Sequence, residues 1–158
     1  MTDRRSEIIS ELEESLRQAI ALFRSLEPEQ LDVKVYQDGE SWTAIQVLAH
    51  LITIERSMQW LFNNILSGGP GAPPEFDIER YNRSQPRKLF TFDLEALIQQ
   101  FHLVREATMT IVRNMAENDL DREGRHAFHG HGKLERFIRW AYEHQRMHED
   151  EIRRAIKI

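Results

Sequence analysis

The sequence predicts an all-α protein: a four-helix bundle with one long crossover between its second and third helices. Three observations predict it. Apolar residues recur at steps of three and four along four separate stretches, the spacing of one buried helix face. No stretch alternates convincingly in the way a strand does. A single Gly/Pro-rich segment, residues 67–74, separates the second stretch from the third. Four amphipathic helices must bury their stripes against one another, and a bundle is the arrangement that does this.

The first helix is expected at about residues 4–26, with the stripe Ile8, Leu12, Leu16, Ala19, Ile20, Phe23 and Leu26. Thr2 or Asp3 can cap it, and Pro28 marks its end. Gln37-Asp38-Gly39-Glu40 is a turn signal, and Ser41 is a good N-cap for the second helix. That helix carries Trp42, Ile45, Val47, Leu48, Leu51, Ile54, Met58, Leu61, Phe62 and Ile65. The Gly/Pro segment then stops it. The crossover runs on to Phe92, and its polar stretch Tyr81 to Lys88 holds a short helix or none. About 25 residues can reach ~80 Å when extended, whereas a helix of about 24 residues is ~36 Å long. The chain can therefore return along the whole bundle, which permits the second and third helices to run parallel.

Thr91 or Asp93 caps the third helix, whose stripe is Leu94, Leu97, Ile98, Phe101, Val104, Thr108, Ile111 and Met115, with His102 at its border. Residues 118–132 read as a loop with His126, His129 and His131 beside Gly130 and Gly132. H-x2-H-x-H could bind metal, but without an evident scaffold it reads as a supporting or substrate-contacting group more than a primary site. The fourth helix starts near Lys133 with Leu134, Phe137, Ile138 and Ala141, and resumes its stripe at Ile152, Ala155 and Ile156.

At 158 residues the chain is long enough for one core, so residues 1–158 are expected to form a single domain. A net charge of −5 and a pI near 5.8 argue against a general nucleic-acid partner or an anionic membrane surface. No apolar run approaches the ~20 residues that span a bilayer, and the N-terminus leads straight into a charged amphipathic pattern. A cytoplasmic protein is expected. The chain has no cysteine, which excludes disulfides, thiolate zinc sites and a cysteine nucleophile. Any metal must use His, Asp, Glu or water, and any thiol must come from a cosubstrate.

Chemistry concentrates in Glu143-His144-Gln145-Arg146-Met147-His148. His144 and His148 occupy stripe positions where Leu or Ile would be expected, and four residues apart their rings can point at one centre. Histidines satisfied by carbonyls or carboxylates are a common alternative in cores. The motif is not that of the zincins, because Gln145 stands where H-E-x-x-H needs its glutamate. His50 is a third histidine on an apolar helix face. Bundles build metal sites from facing helices, and three imidazoles plus water leave an open, catalytic position.

Ser41-Trp42-Thr43-Ala44-Ile45-Gln46-Val47-Leu48-Ala49-His50-Leu51 resembles the tryptophan-to-histidine segment of the DinB-like (damage-inducible protein) superfamily, and His144 to His148 resembles its C-terminal H-x3-H. The resemblance covers nearly the whole chain. It implies an up-down-down-up bundle, often a homodimer, with a divalent metal, zinc or nickel, held by His50, His144 and His148. It further implies a small-molecule substrate and, among characterised relatives, transfer or isomerisation with a low-molecular-weight thiol such as bacillithiol, mycothiol or glutathione. Trp42, Met58, Trp140 and Met147 are pocket candidates, though core packing accounts for them as well. Arg136, Arg139 and Arg146 could receive a carboxylate, or simply face solvent. Metal-assisted hydrolysis is the competing chemistry; its base could come from Glu55, Glu143 or Glu151, and spacing assigns none of them. A non-enzymatic metal-binding or stress-related bundle is the third possibility. The adjacent pairs Ile8-Ile9 and Leu97-Ile98 widen two apolar faces and agree with a homodimer.

Overall fold

The computed structural model describes residues 3–35 and 41–158. Four long helices form its body: α1 (Arg4–Ser25), α3 (Ala44–Leu66), α5 (Leu94–Asn114) and α6 (Leu134–Ile156). Two short helices, α2 (Pro28–Leu31) and α4 (Ile78–Ser84), lie in the connections, and a 3-10 turn follows α4 at Pro86–Leu89. The polar stretch of the crossover is therefore helical. Asp3 and Asp93 cap α1 and α5, each accepting a hydrogen bond from a first-turn N–H. Thr43, not Ser41, caps α3, because Thr43 and Gln46 satisfy each other's backbone N–H groups in a reciprocal box. The alternative cap Thr2 and the turn at 37–40 lie outside the described residues.

Cross-helix bonds fix the topology. Arg24 meets Glu95 and Ser15 meets Arg105, so α1 and α5 run antiparallel. Arg56 meets Gln100 and Gln59 meets Thr108, so α3 and α5 run parallel. Arg4 meets Glu135 and Arg146 meets Glu11, so α1 and α6 run parallel. The bundle is up-down-down-up, with α1 and α3 each packed on both α5 and α6.

The segment read as a histidine loop is instead a β-hairpin. β1 (Glu123–His126) pairs antiparallel with β2 (Gly130–Lys133). The crossover adds to it: Arg125 donates from N to Pro70 O at 2.8 Å, and Ala72 N donates to Arg125 O at 2.7 Å. Two glycines permit this docking. A Cβ on Gly71, whose φ is +92°, would stand 2.4 Å from Arg125 O, and one on Gly124 would stand 2.7 Å from Ile65. Neither strand alternates apolar and polar residues, so periodicity could not reveal them.

The core is in two apolar clusters. One gathers Leu16, Phe23, Leu48, Ile52, Phe101 and Ile152, the other Ile8, Phe62, Met109, Phe137 and Ile138. Between them lies a polar layer with a residue from each long helix. Arg105 is fully buried and binds Glu55 with both Nε and Nη2 at 2.9 Å. It also donates to Ser15 Oγ at 2.7 Å, Leu12 O at 3.1 Å and Gln145 Oε1 at 2.6 Å. Thr108 donates to Glu55 at 2.7 Å, and Gln145 donates to Ser15 O at 2.7 Å and to Glu149 at 3.2 Å. Every named partner of the guanidinium is thus an oxygen, as its five N–H donors require.

Candidate metal centre

His50 projects from the second turn of α3, and His144 and His148 stand one turn apart on α6. His50 and His148 are buried; His144 is partly buried. The ring centroids of His50 lie 5.2 Å from those of His144 and 5.1 Å from those of His148, and the two α6 rings are 4.5 Å apart. One ring nitrogen from each residue falls within 4.8 Å of the others, so the three could hold a metal ion. Nitrogens bound tetrahedrally at about 2.0–2.1 Å stand about 3.4 Å apart, and the Nε2 atoms of His144 and His148 are 3.0 Å apart.

The electrostatics suit ligation. Burial, then the neighbouring His148, pushes His50 down to about 3. Burial pushes His148 down to about 4. Burial, then His148 and His50, holds His144 well below the usual histidine range. All three rings are neutral at pH 7, the form that ligates. His50 Nδ1 is buried without a hydrogen-bond partner among the described residues, a need that a cation would meet. Glu151 Oε1 lies 3.0 Å from His148 Nδ1, the carboxylate-to-histidine arrangement that orients metal-ligating rings.

The three rings line a cavity of about 1000 Å³. Its apolar wall includes Ile54, Met58, Leu61, Phe76 and Trp140; its polar groups include Arg56, Arg83, Glu79 and Glu151. Trp60, Phe128 and Met147 stand exposed at its rim. Trp42, Met58, Trp140 and Met147, singled out by sequence, all line it. Trp42 packs on His50 at 4.8 Å and Trp140 on His144 at 5.4 Å.

The arginines singled out by sequence do not line it. Arg139 binds Glu135 at 2.9 Å and the Tyr142 hydroxyl at 3.0 Å, Arg146 binds Glu11 at 2.8 Å, and Arg136 approaches His129 Nδ1 at 3.2 Å. The first two project toward α1, on the face of α6 turned away from the histidines. Arg56 and Arg83, which sequence reasoning missed, are the pocket's cations. Of the three carboxylates considered, Glu55 is sunk in the polar layer, Glu143 is exposed, and Glu151 lines the pocket. Of the loop histidines, His126 lines the pocket, His129 packs on Trp140 at 4.5 Å, and His131 is exposed beside Glu123. His102 is exposed on α5.

The model of the DinB superfamily matches residues 11–152. No curated protein matches the chain by sequence. Among solved structures, YfiT from Bacillus subtilis, described as a probable metal-dependent hydrolase with an unusual four-helix bundle topology, is 20% identical with a TM-score of 0.78, covering 97% of this chain and 86% of its own. The colibactin self-resistance protein ClbS, solved in complex with a dsDNA, is 11% identical with a TM-score of 0.77, covering 98% and 96%. The mycothiol-dependent maleylpyruvate isomerase is 13% identical with a TM-score of 0.65; the match covers 96% of this chain and only 60% of the isomerase. At these identities the likeness shows the fold.

The ClbS complex corrects one expectation. Acidic net charge argues against a general nucleic-acid partner, yet a protein of this fold was solved with dsDNA. Net charge sums over all faces and says nothing of one face; here Arg80, Arg83, Arg87 and Lys88 are all exposed along one short stretch of the crossover. Among the described residues, no helix is long and apolar enough to cross a membrane.

Proposed function

The chain belongs to the DinB superfamily, and on that premise we propose that His50, His144 and His148 bind a catalytic zinc or nickel ion and that the protein is a thiol-dependent S-transferase acting on a small molecule. The observation that carries the reading is the convergence of three neutral imidazoles on a cavity that reaches solvent. Three nitrogen donors leave a fourth position for a reactant, and imidazole suits both metals. When bound, the cation supplies Lewis acidity that lowers the pKa of a thiol or of water.

The chain's own residues do the rest. Glu151, with Oε1 3.0 Å from His148 Nδ1, is placed to orient that ring when its other nitrogen is bound. Trp140, Ile54 and Met58 present apolar surface that excludes water from the electrophile. Arg56 and Arg83 are the cations available to a carboxylate on an acidic thiol. The absence of cysteine fits a reaction whose sulfur arrives with the cosubstrate. Metal-assisted hydrolysis is the second reading. Glu151 favours it, as a carboxylate in the pocket able to accept a proton from water.

The test begins with metal analysis of protein purified without a histidine tag, beside His50→Ala. One ion per chain in the parent and none in the variant is expected. Turnover of electrophiles only with added thiol supports the transferase, and thiol-independent hydrolysis supports the second reading. His148→Ala should lose metal and keep its helical circular dichroism; wholesale unfolding would make the site structural.

A further inference from the structure

His126 closes β1 and lines the same cavity as the three-histidine centre. Its Nδ1 accepts hydrogen bonds from two backbone N–H groups in the hairpin turn, Phe128 at 2.9 Å and His129 at 3.1 Å. A ring nitrogen that accepts such bonds carries no proton, so neutral His126 bears its proton on Nε2. Among the described residues the ring's only hydrogen bonds are these two. Burial, then the charges of His129 and Arg136, pushes it down to about 4, so the ring is neutral at pH 7. Asp, Asn and Ser commonly accept turn N–H groups with their short side chains. Imidazole does the same and adds a second polar atom on its opposite edge.

The frame that holds this ring is fixed from three sides. β2 pairs with β1, the crossover bonds to Arg125, and Phe137 of α6 packs on the ring at 5.0 Å. The surface between His126 and His144 is aromatic: Phe128 stacks with Trp140, which packs on His144.

We propose that His126, donating from Nε2, binds the oxygen of a carboxylate or carbonyl ligand held in the cavity beside His50, His144 and His148. The proposal rests on the metal reading above. It makes His126 a neutral donor placed where negative charge on that oxygen is stabilised without transfer of a proton. The apolar walls add that the rest of the ligand is hydrophobic.

The test uses the full chain loaded with cobalt(II), titrated with acetate and followed by visible absorption. His126→Asn keeps an oxygen to accept the two turn N–H groups and lacks the Nε2–H. Its melting temperature and cobalt content should match the parent, and its acetate affinity should fall roughly ten- to hundredfold, as for a lost hydrogen bond to a charged group. Equal acetate affinity with cobalt retained overturns the proposal and leaves the metal reading intact. Failure of the parent to take up cobalt overturns both. Should the variant fold poorly, nitrogen-15 spectra of the zinc-loaded parent decide: a proton on His126 Nε2 that shifts on acetate addition supports the proposal, and a proton on Nδ1, or no shift, overturns it.

Discussion

Replacing Arg105 by Met should be among the most destabilising single changes in this chain. The guanidinium is fully buried, and its removal strands a glutamate that is itself 2% exposed. Thr108 would remain as a donor to Glu55, while Leu12 O, Ser15 Oγ and Gln145 Oε1 would each lose their bond from the guanidinium. Breaking a buried ion pair by removing one partner costs about 3–5 kcal/mol. For a chain of this length that corresponds to a melting temperature lower by roughly 6–20 °C. The double variant Arg105→Met with Glu55→Leu removes both charges and should recover much of the loss. Urea denaturation of the parent, the two single variants and the double variant measures the coupling. The layer ties α3 to α6, the two helices that carry the histidines, so the double variant should still hold metal about 10-fold more weakly than the parent. A single variant that loses under 1 kcal/mol, or a double variant with parental metal affinity, refutes the idea that this layer sets the register of the site.

Two further outcomes are expected. In metal-free protein, His50 is depressed to about 3, and His148 and His126 to about 4, below the unfolded value of about 6.5. The unfolded chain therefore binds more protons between those values, so stability is fully present above about pH 6.5 and falls by up to ~1.4 kcal/mol per pH unit per histidine as pH drops toward 4; urea midpoints that are flat from pH 7 to 5 would contradict it. Gly71→Ala places a Cβ 2.4 Å from Arg125 O at a φ of +92° and should cost about 1–3 kcal/mol. Its effect should concentrate on hydrogen-exchange protection of the Arg125 and Ala72 amides, and uniform loss across the four long helices would argue that the crossover does not anchor the hairpin.

The four long helices were legible in the sequence because each carries its own stripe, from Ile8 to Phe23 on α1 and from Leu134 to Ile152 on α6. The histidine trio was legible only because polar rings interrupt two such stripes. The α3 cap shifted by two residues because the Thr43–Gln46 box outweighs an isolated serine. The hairpin was hidden. Gly124, Arg125, Gly132 and Lys133 have no alternation, and their pairing depends on residues 70–72, distant in sequence. Arg105 gave no signal either. Its burial depends on acceptors from three other helices arriving together, and spacing along one helix does not encode that. The pocket cations Arg56 and Arg83 were missed for a related reason: both are exposed helix-surface residues by pattern, and the path of the crossover past α3 makes that surface a cavity wall.

The cavity is walled by α3 and the residue leading into it, by the crossover, by the hairpin and by α6; neither α1 nor α5 contributes a lining residue. Half of the long helices are thus buttress and the other half bench. Outside the layer around Arg105 and Ser15, substitutions on α1 and α5 can tune durability or association without touching the cavity wall. Changes of preferred substrate are open to the crossover and the hairpin turn, whose length and composition can drift while the helix-borne histidines stay in place. A lineage built on this plan can exchange one task for another by rewriting two connecting segments.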